Sequence, residues 1–321
     1  MILAGQKPDR HAASFWRHFF HLESTAEGLA DAMVGFQKQF DWDFMKINPR
    51  ADYHIEEWGF KHQFSNDEFT KHKKLAFPIN GPDDWEKVRP LPMTSPALAE
   101  HLKAISLIRK QVGPDLPILM TVFTPLAIAG RMVREKQMLA DHLRSHPENV
   151  ALALRAITKT FRDFAAEIRN AGADGLFYAT TAWGSDEFIT WDEYVKFGLA
   201  YDLEVVGGTG ADALNLFHVC SSNNYLKRLA GFDYRSKLYN WDESDPTNPT
   251  IDQAFIFLKG KTIVGGVDYR GWLIRSHASE MGYFIDKLKK QYDSSKLIIG
   301  PGCAIDPATP AANLKAIREQ L

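Results

Sequence analysis

Short apolar runs alternate along this chain with longer stretches whose apolar residues return every three or four positions. The short runs are ASFWRHF (13–19), DFMKINP (43–49), PILMTVFTP (117–125), GLFYATT (175–181), LNLFHVC (214–220), SKLYNWD (236–242), TIVGGVD (262–268) and KLIIGPG (296–302). They read as buried β-strands that end in loops. The periodic stretches predict helices over 25–40, 95–113, 150–172, 185–202, 222–232, 248–260, 277–292 and 309–321, with Gly or Pro punctuating their ends. Eight strands alternating with eight helices predict an α/β fold: a single (β/α)8 TIM barrel over residues 1–321. An open doubly wound sheet would carry a Gly-rich phosphate loop after an early strand. GGTGAD (207–212) precedes a strand instead. Residues 48–96 form a long insertion after the second strand, and NGPDDWEKVRPLP (80–92) within it is expected to cross the barrel mouth.

Composition narrows the partners. The 321 residues are 45% hydrophobic and 24% charged, with a formal net charge of −2. That balance excludes the basic face of a nucleic-acid binder. The N-terminal MILAGQKPDRHAAS has no apolar core of a secretory signal. The most apolar stretch, PILMTVFTPLAIAG, is too short and too Pro-broken for a membrane span. Two cysteines cannot make a disulfide framework, so a reducing cytoplasm is the expected location. Many barrels dimerise, and a homodimer stays open.

Those two cysteines carry the candidate chemistry. In a barrel, the C-terminal strand ends face the active site. His218 and Cys220 end the fifth strand, and Cys303 follows the eighth. Side chains at i and i+2 leave a strand on the same face, so His218 and Cys220 can grip one ion. Barrel closure would bring Cys303 to them, which makes a Cys₂His set with one open position, as in catalytic zinc sites. The plain alternative is two ordinary buried thiols. A fourth group could come from Asp242 or Glu243 after the sixth strand, as a displaceable ligand or by orienting His218. Either could equally be a helix cap or a turn carboxylate. Soft thiolate ligation leaves zinc formally neutral and favours an ionised, nucleophilic thiol over a polarised water. It therefore points to thiolate alkylation rather than hydrolysis.

Other strand ends place His18, Asn48, Arg50, Thr180, Thr181, Trp183 and Asp268 near the same mouth, and His18, Asn48, Trp183 and Asp268 are expected to touch substrate. Phe15 and Trp16 read as core or pocket wall, and His277 as a surface residue opening a helix.

FWRHF, HVC, YNWD, GGVD and GPGCAIDPATP together make the chain resemble the uroporphyrinogen decarboxylase superfamily, over essentially its whole length. The resemblance implies a TIM barrel. Members that are methylcobalamin:coenzyme M methyltransferases hold zinc on a His-x-Cys and a distant Cys, matched here by His218, Cys220 and Cys303. In some of them an acidic residue after the sixth strand also approaches the metal, which falls on Asp242 or Glu243. Decarboxylase members use no metal and carry an Arg-rich RQAGRY-type motif near the N-terminus. Here SFWRHFF supplies Arg17 alone. The implied activity is transfer of a methyl group from methylcobalamin or a methylated corrinoid protein to a zinc-bound small-molecule thiol. Alternatives are metal-free decarboxylation of a porphyrinogen or another carboxylate, and a corrinoid- or tetrapyrrole-binding protein without turnover.

Overall fold

The computed structural model describes residues 8–321. Its strands are β1 (Met45–Ile47), β2 (Lys61–Gln63), β3 (Lys73–Ala76), β4 (Ile118–Phe123), β5 (Gly175–Ala179), β6 (Asn215–Val219), β7 (Ser236–Trp241), β8 (Thr262–Val267) and β9 (Leu297–Pro301). Seven of them form one sheet in the order β1-β4-β5-β6-β7-β8-β9, every pair parallel. Each step along it is a right-sized strand–helix–strand crossover, and both faces are buried, as a parallel sheet requires.

Strand periodicity sorts the two faces. Phe44, Leu119, Phe177, Leu216, Leu238, Val264 and Ile298, with Trp16, pack into one cluster that reaches from β9 to the start of β1. Side chains from opposite ends of a sheet can meet only if it curls. Their neighbours of opposite parity, such as Met120, Tyr178, Phe217, Tyr239 and Ile263, pack outward against the helices. The longest helix, Pro147–Asn170, shows the helical period in what it buries: Ile157, Phe161, Phe164 and Ile168 are fully enclosed. Phe161→Ala would cost about 3–5 kcal/mol by cavity formation.

The strand expected over 13–19 is reduced to a single parallel bridge, Ala13 with Ile299. Even so, it links the two outer strands. Ser14 N donates to Ile299 O (3.0 Å), Ile299 N to Ala12 O (2.8 Å), and Asp43 N to Ala13 O (2.9 Å). After Ser14 the chain leaves the ladder, which puts Arg17 and His18 beyond the rim.

Residues 48–96 hold two 3-10 helices, Ala51–Trp58 and Pro82–Lys87, and the antiparallel pair β2–β3. The expectation that 80–92 crosses the mouth is corrected. Trp85 is fully buried, and its Nε1 donates to His142 Nδ1 at 2.9 Å, so this segment docks on the helical layer. An apolar anchor decided the outcome over the polar Pro and Asp around it. The β2–β3 segment borders the main cavity instead. Two helix expectations were also too long. The 185–202 stretch becomes helical only at Trp191, where Thr190 and Glu193 form a capping box, and it contains a π-turn at Val195–Leu199. Of 222–232 only Leu226–Leu229 is helical. Among the described residues, no helix is long and apolar enough to cross a membrane.

Candidate metal centre

The concave face changes character toward its C-terminal rim. Two residues past Leu216 stands His218, and two past Leu238 stands Asn240, each continuing the apolar parity with a polar group. They are register partners on β6 and β7. Cys220 follows on the His218 face. Immediately after it, Ser221 adopts φ +72°, the left-handed region that a non-glycine residue enters only when its surroundings hold it there. Asn248 supplies that hold. Its Nδ2 donates to Ser221 O and to Asp242 O, both at 3.0 Å, and so ties the loops after β6 and β7 together. Cys303 arrives through Gly302, where a Cβ would stand 2.8 Å from Asp242 Cα. Only glycine permits that approach.

As a result, His218, Cys220 and Cys303 each offer a ligand atom within 4.8 Å of the others. Neither cysteine is in a disulfide. The hydrogen bonds fix which nitrogen of His218 is available. Asn240 Nδ2 donates to Val264 O (2.8 Å) and Pro301 O (3.0 Å), which identifies Oδ1 as the acceptor of the 2.6 Å contact with His218 Nδ1. His218 Nδ1 therefore carries the proton and Nε2 the lone pair. Nε2 is buried and has no hydrogen-bond partner. A buried lone pair left beside two thiols fits a metal ion, and two sulfurs with one imidazole suit zinc.

The thiols share their protonation unequally. Their mutual hydrogen bond, with burial, pushes Cys220 up. The same bond pulls Cys303 well below an ordinary thiol against the effect of burial, helped by His218 and Lys46. Lys46, buried on the concave side of β1, went unnoticed in the sequence. Burial brings its amine down to about 7 despite the opposing pull of Cys303, Glu23 and Cys220. Its Nζ donates to Asn48 Oδ1 and lies 4.3 Å from the Phe177 ring centroid.

The two carboxylates separate. Asp242 is buried next to Gly302; its Oδ1 accepts from Ser244 Oγ at 2.6 Å. Its Oδ2 accepts no hydrogen bond, although Arg270 Nε lies 3.0 Å away. Glu243 turns against β8, where Gly266 N donates to it, and burial raises its carboxyl to about 8. Neither orients His218, because Asn240 does so.

A cavity of about 840 Å³ opens beside this set. Tyr269, Arg270, Ala304 and Ile305 form its metal-side wall, and His18 and Trp183 also line it. Trp183 sits against Gly130, where a Cβ would fall 1.9 Å from its Nε1. Asn48 does not line this cavity; it is buried with Nδ2 unpaired. Asp268 caps the turn after β8, accepting from Arg270 N at 3.0 Å. Arg50 is structural, paired with Glu56 and Glu100. His277 is an exposed helix N-cap.

Comparisons with known proteins agree with this fold. Two curated relatives are a methylcobamide:CoM methyltransferase MtaA of Methanosarcina barkeri, 25% identical over 67% of this chain and 61% of its own length, and an MtbA of Methanosarcina acetivorans, 21% identical over 75% and 68%. The match thus spans about three-fifths to two-thirds of those relatives. A methyltransferase from Methanosarcina mazei superposes with TM-score 0.84 at 18% identity, over 99% of this chain and 96% of its own. A B12-independent methionine synthase from Shewanella sp. W3-18-1 does so at 0.58 and 14% identity, over 97% and 96%. At such identities the structures establish likeness of fold alone. The uroporphyrinogen decarboxylase (URO-D) family model matches residues 8–321, and the chain belongs to that family.

Proposed function

We propose that this chain is a zinc-dependent methyltransferase, moving a methyl group from a methylated corrinoid to a small-molecule thiol. On this reading it is one domain over residues 1–321, a complete (β/α)8 barrel in which 12–14 stand in for the first strand and 48–96 are inserted after the second. The observation that carries it is the unpartnered Nε2 of His218 beside two free thiols. The names of the methylcobamide:CoM methyltransferase relatives support it.

His218, Cys220 and Cys303 would hold the zinc, which when bound lets a coordinated thiol ionise near neutral pH. Everything else is done by the chain. Asn240 keeps His218 in the ligating tautomer. Asp242, whose Oδ1 faces Gly302 and whose Oδ2 lies against Arg270, is the better fourth ligand of the two carboxylates, and Glu243 braces β8. Lys46 supplies positive charge beneath the sulfurs. The cavity receives the methyl donor, either free methylcobalamin or a corrinoid protein, while Trp183 and His18 wall it. Lys71, Lys74, Arg131, Arg134, Lys136 and Arg270 outnumber its carboxylates, which suits reactants that carry negative groups. Thiol ligation also suits a reducing cytoplasm.

The decarboxylase reading is disfavoured by Arg17. Its guanidinium is already paired with Glu68, and its Nε donates to His18 O at 3.2 Å, so this segment offers no free fork for a carboxylate. Elemental analysis of the purified protein tests the proposal. About one zinc per chain is expected, lost in Cys220→Ser and Cys303→Ser, with methyl transfer from methylcobalamin to a thiol lost in parallel. A metal-free protein after zinc supplementation, or full turnover in Cys220→Ser, overturns it.

A further inference from the structure

Glu23 lies outside the metal set and is almost wholly buried, at 1% exposure. Its Oε2 is 2.9 Å from His18 Nδ1 and accepts from Phe19 N at 3.3 Å, and its Oε1 is 3.3 Å from His72 Nε2. Ser65 N donates to His72 Nδ1 at 3.0 Å, so the proton of a neutral His72 is on Nε2, facing Glu23. Burial alone would raise the Glu23 carboxyl, yet the neighbouring imidazoles of His18 and His72 hold it down at about 2. An ionised carboxylate only accepts, so His18 donates from Nδ1, and the neutral ring carries its lone pair on Nε2. The ring is fixed by stacking on Phe20, with centroids 5.1 Å apart and planes within 9°. Among the described residues Nε2 has no hydrogen-bond partner, and His18 lines the cavity. A carboxylate has set the tautomer of an imidazole and left its basic nitrogen open to a reaction-sized space.

The chain ties this group to the metal side. Ile305 N donates to Trp16 O at 2.9 Å. The two segments run parallel, as the Ala13–Ile299 bridge shows, so Cys303 lies before this bond and His18 beyond it, on the rim side of the metal set. Ala304, Ile305 and His18 all face the same cavity.

We propose that His18 is the catalytic base that takes the proton of the acceptor thiol, with Glu23 as its positioning residue; the proposal rests on the thiol-methylation reading above. The S–H bond breaks, the sulfur keeps the electron pair, and an N–H bond forms at Nε2. Glu23 balances the imidazolium until the proton passes to solvent through the cavity. Phe19 N, which donates to the same Oε2, keeps Glu23 turned toward His18.

The test uses the zinc-loaded full chain, methylcobalamin, and two acceptors: an alkyl thiol and a more acidic aromatic thiol. His18→Asn keeps a donor for Glu23 but removes the base, and His18→Ala serves as a second variant. Thermal melts establish that each is folded. Near neutral pH, both variants should lose on the order of 100-fold in rate with the alkyl thiol at unchanged zinc content. The loss should shrink with the aromatic thiol and be partly rescued by imidazole. Calorimetry of thiol binding in buffers of different ionisation enthalpy should find more protons released by His18→Asn than by the wild type, which retains part of the proton on His18. The charged and titratable groups around His18 are Glu23, His72, Arg17 with its partner Glu68, and, around the cavity, Lys71, Arg270 and Asp306. An active wild type with equal losses for both thiols and no imidazole rescue overturns the base assignment, as does an unaffected variant. A zinc-loaded wild type that methylates no thiol overturns the methylation reading and this inference with it.

Discussion

Asn240 Oδ1 lies 2.6 Å from His218 Nδ1, across two strands that hold these residues in register, and the amide spends both of its own protons on Val264 O and Pro301 O. One side chain thereby selects the tautomer of the candidate ligand and fastens β7 to β8 and β9. The two roles can be separated. Asn240→Asp keeps an acceptor for His218 but loses both donors, whereas Asn240→Ala loses everything. Zinc affinity, measured by competition with a chromophoric chelator, should fall about 10–100-fold in Asn240→Ala and much less in Asn240→Asp. Both should lose stability in denaturant melts, about 1–3 kcal/mol for each buried carbonyl left without its donor. Equal zinc affinity in all three proteins would remove Asn240 from the site.

The asymmetry of the two thiols gives a kinetic signature. In zinc-free protein, Cys303 is the thiol held down by its neighbour's hydrogen bond, by His218 and by Lys46, while Cys220 is held up. The thiolate is the nucleophile, so iodoacetamide should label Cys303 several-fold faster than Cys220 near neutral pH. Peptide mass spectrometry over a time course reads the two sites separately. Zinc should protect both, and Lys46→Met should slow labelling of Cys303. Faster labelling of Cys220 would contradict the assignment.

What could be read from the sequence follows from what periodicity encodes. Alternation places Leu216, His218 and Cys220 on one face, and strand-end position brings Cys303 near; both hold in the structure. The same alternation puts Phe44, Lys46 and Asn48 on one side of β1, so a charged residue at an inward position was a signal available for Lys46. Asn240 was harder to find. Its face is legible, but its pairing with His218 depends on the β6–β7 register, which a single chain does not reveal. Glu23 and His72 lie in segments without period, joined through a hairpin, and nothing local connects them. Ala13–Phe19 has strand-like composition throughout, yet its ladder stops at Ser14, because the inward Trp16 is followed by Arg17, which pairs with Glu68, and by His18, which turns to the cavity.

Close approach to glycine yields a prediction about cavity shape. At Gly302 a Cβ would meet Asp242 Cα at 2.8 Å, backbone that cannot rotate away. At Gly130 it would meet the Trp183 indole at 1.9 Å. Gly302→Ala should push the β9 end from the β7 loop, displace Cys303, and weaken zinc at least about tenfold with a stability loss of about 1–3 kcal/mol. Gly130→Ala should instead drive Trp183 into the cavity, leaving zinc affinity intact and weakening binding of the bulky methyl donor. Zinc titration and donor KM separate the two variants. Identical behaviour would mean that the cavity wall and the metal set are not independent.

Asp202, outside the candidate metal set, should lower stability as pH rises toward neutral. It is fully buried behind β5–β7; Tyr194 and Tyr234 donate to its Oδ2 at 2.5 and 3.2 Å, and its Oδ1 has no partner. Burial raises its carboxyl from 3.8 to about 8, against the lowering effect of the two tyrosines. The folded state thus binds this proton more tightly than the unfolded chain. Stability from this group is fully present below about 4 and declines as pH rises toward about 8, by about 1.4 kcal/mol per pH unit within that window. Glu243, raised to about 8 by burial, acts in the same direction, whereas Glu23, held at about 2, adds stability as pH rises through a lower window. Asparagine is close in shape to the neutral acid and still accepts from both tyrosines. Asp202→Asn should therefore raise the melting temperature at neutral pH and remove this group's downward contribution of about 1.4 kcal/mol per pH unit between mildly acidic and neutral conditions. That leaves Glu243 in the same direction and His54 and His101, which burial holds below the usual imidazole range, opposing both below about pH 6.5. Melts across that range check it, and a parallel shift of the whole curve, with slope unchanged, would show that Asp202 is already ionised in the folded protein.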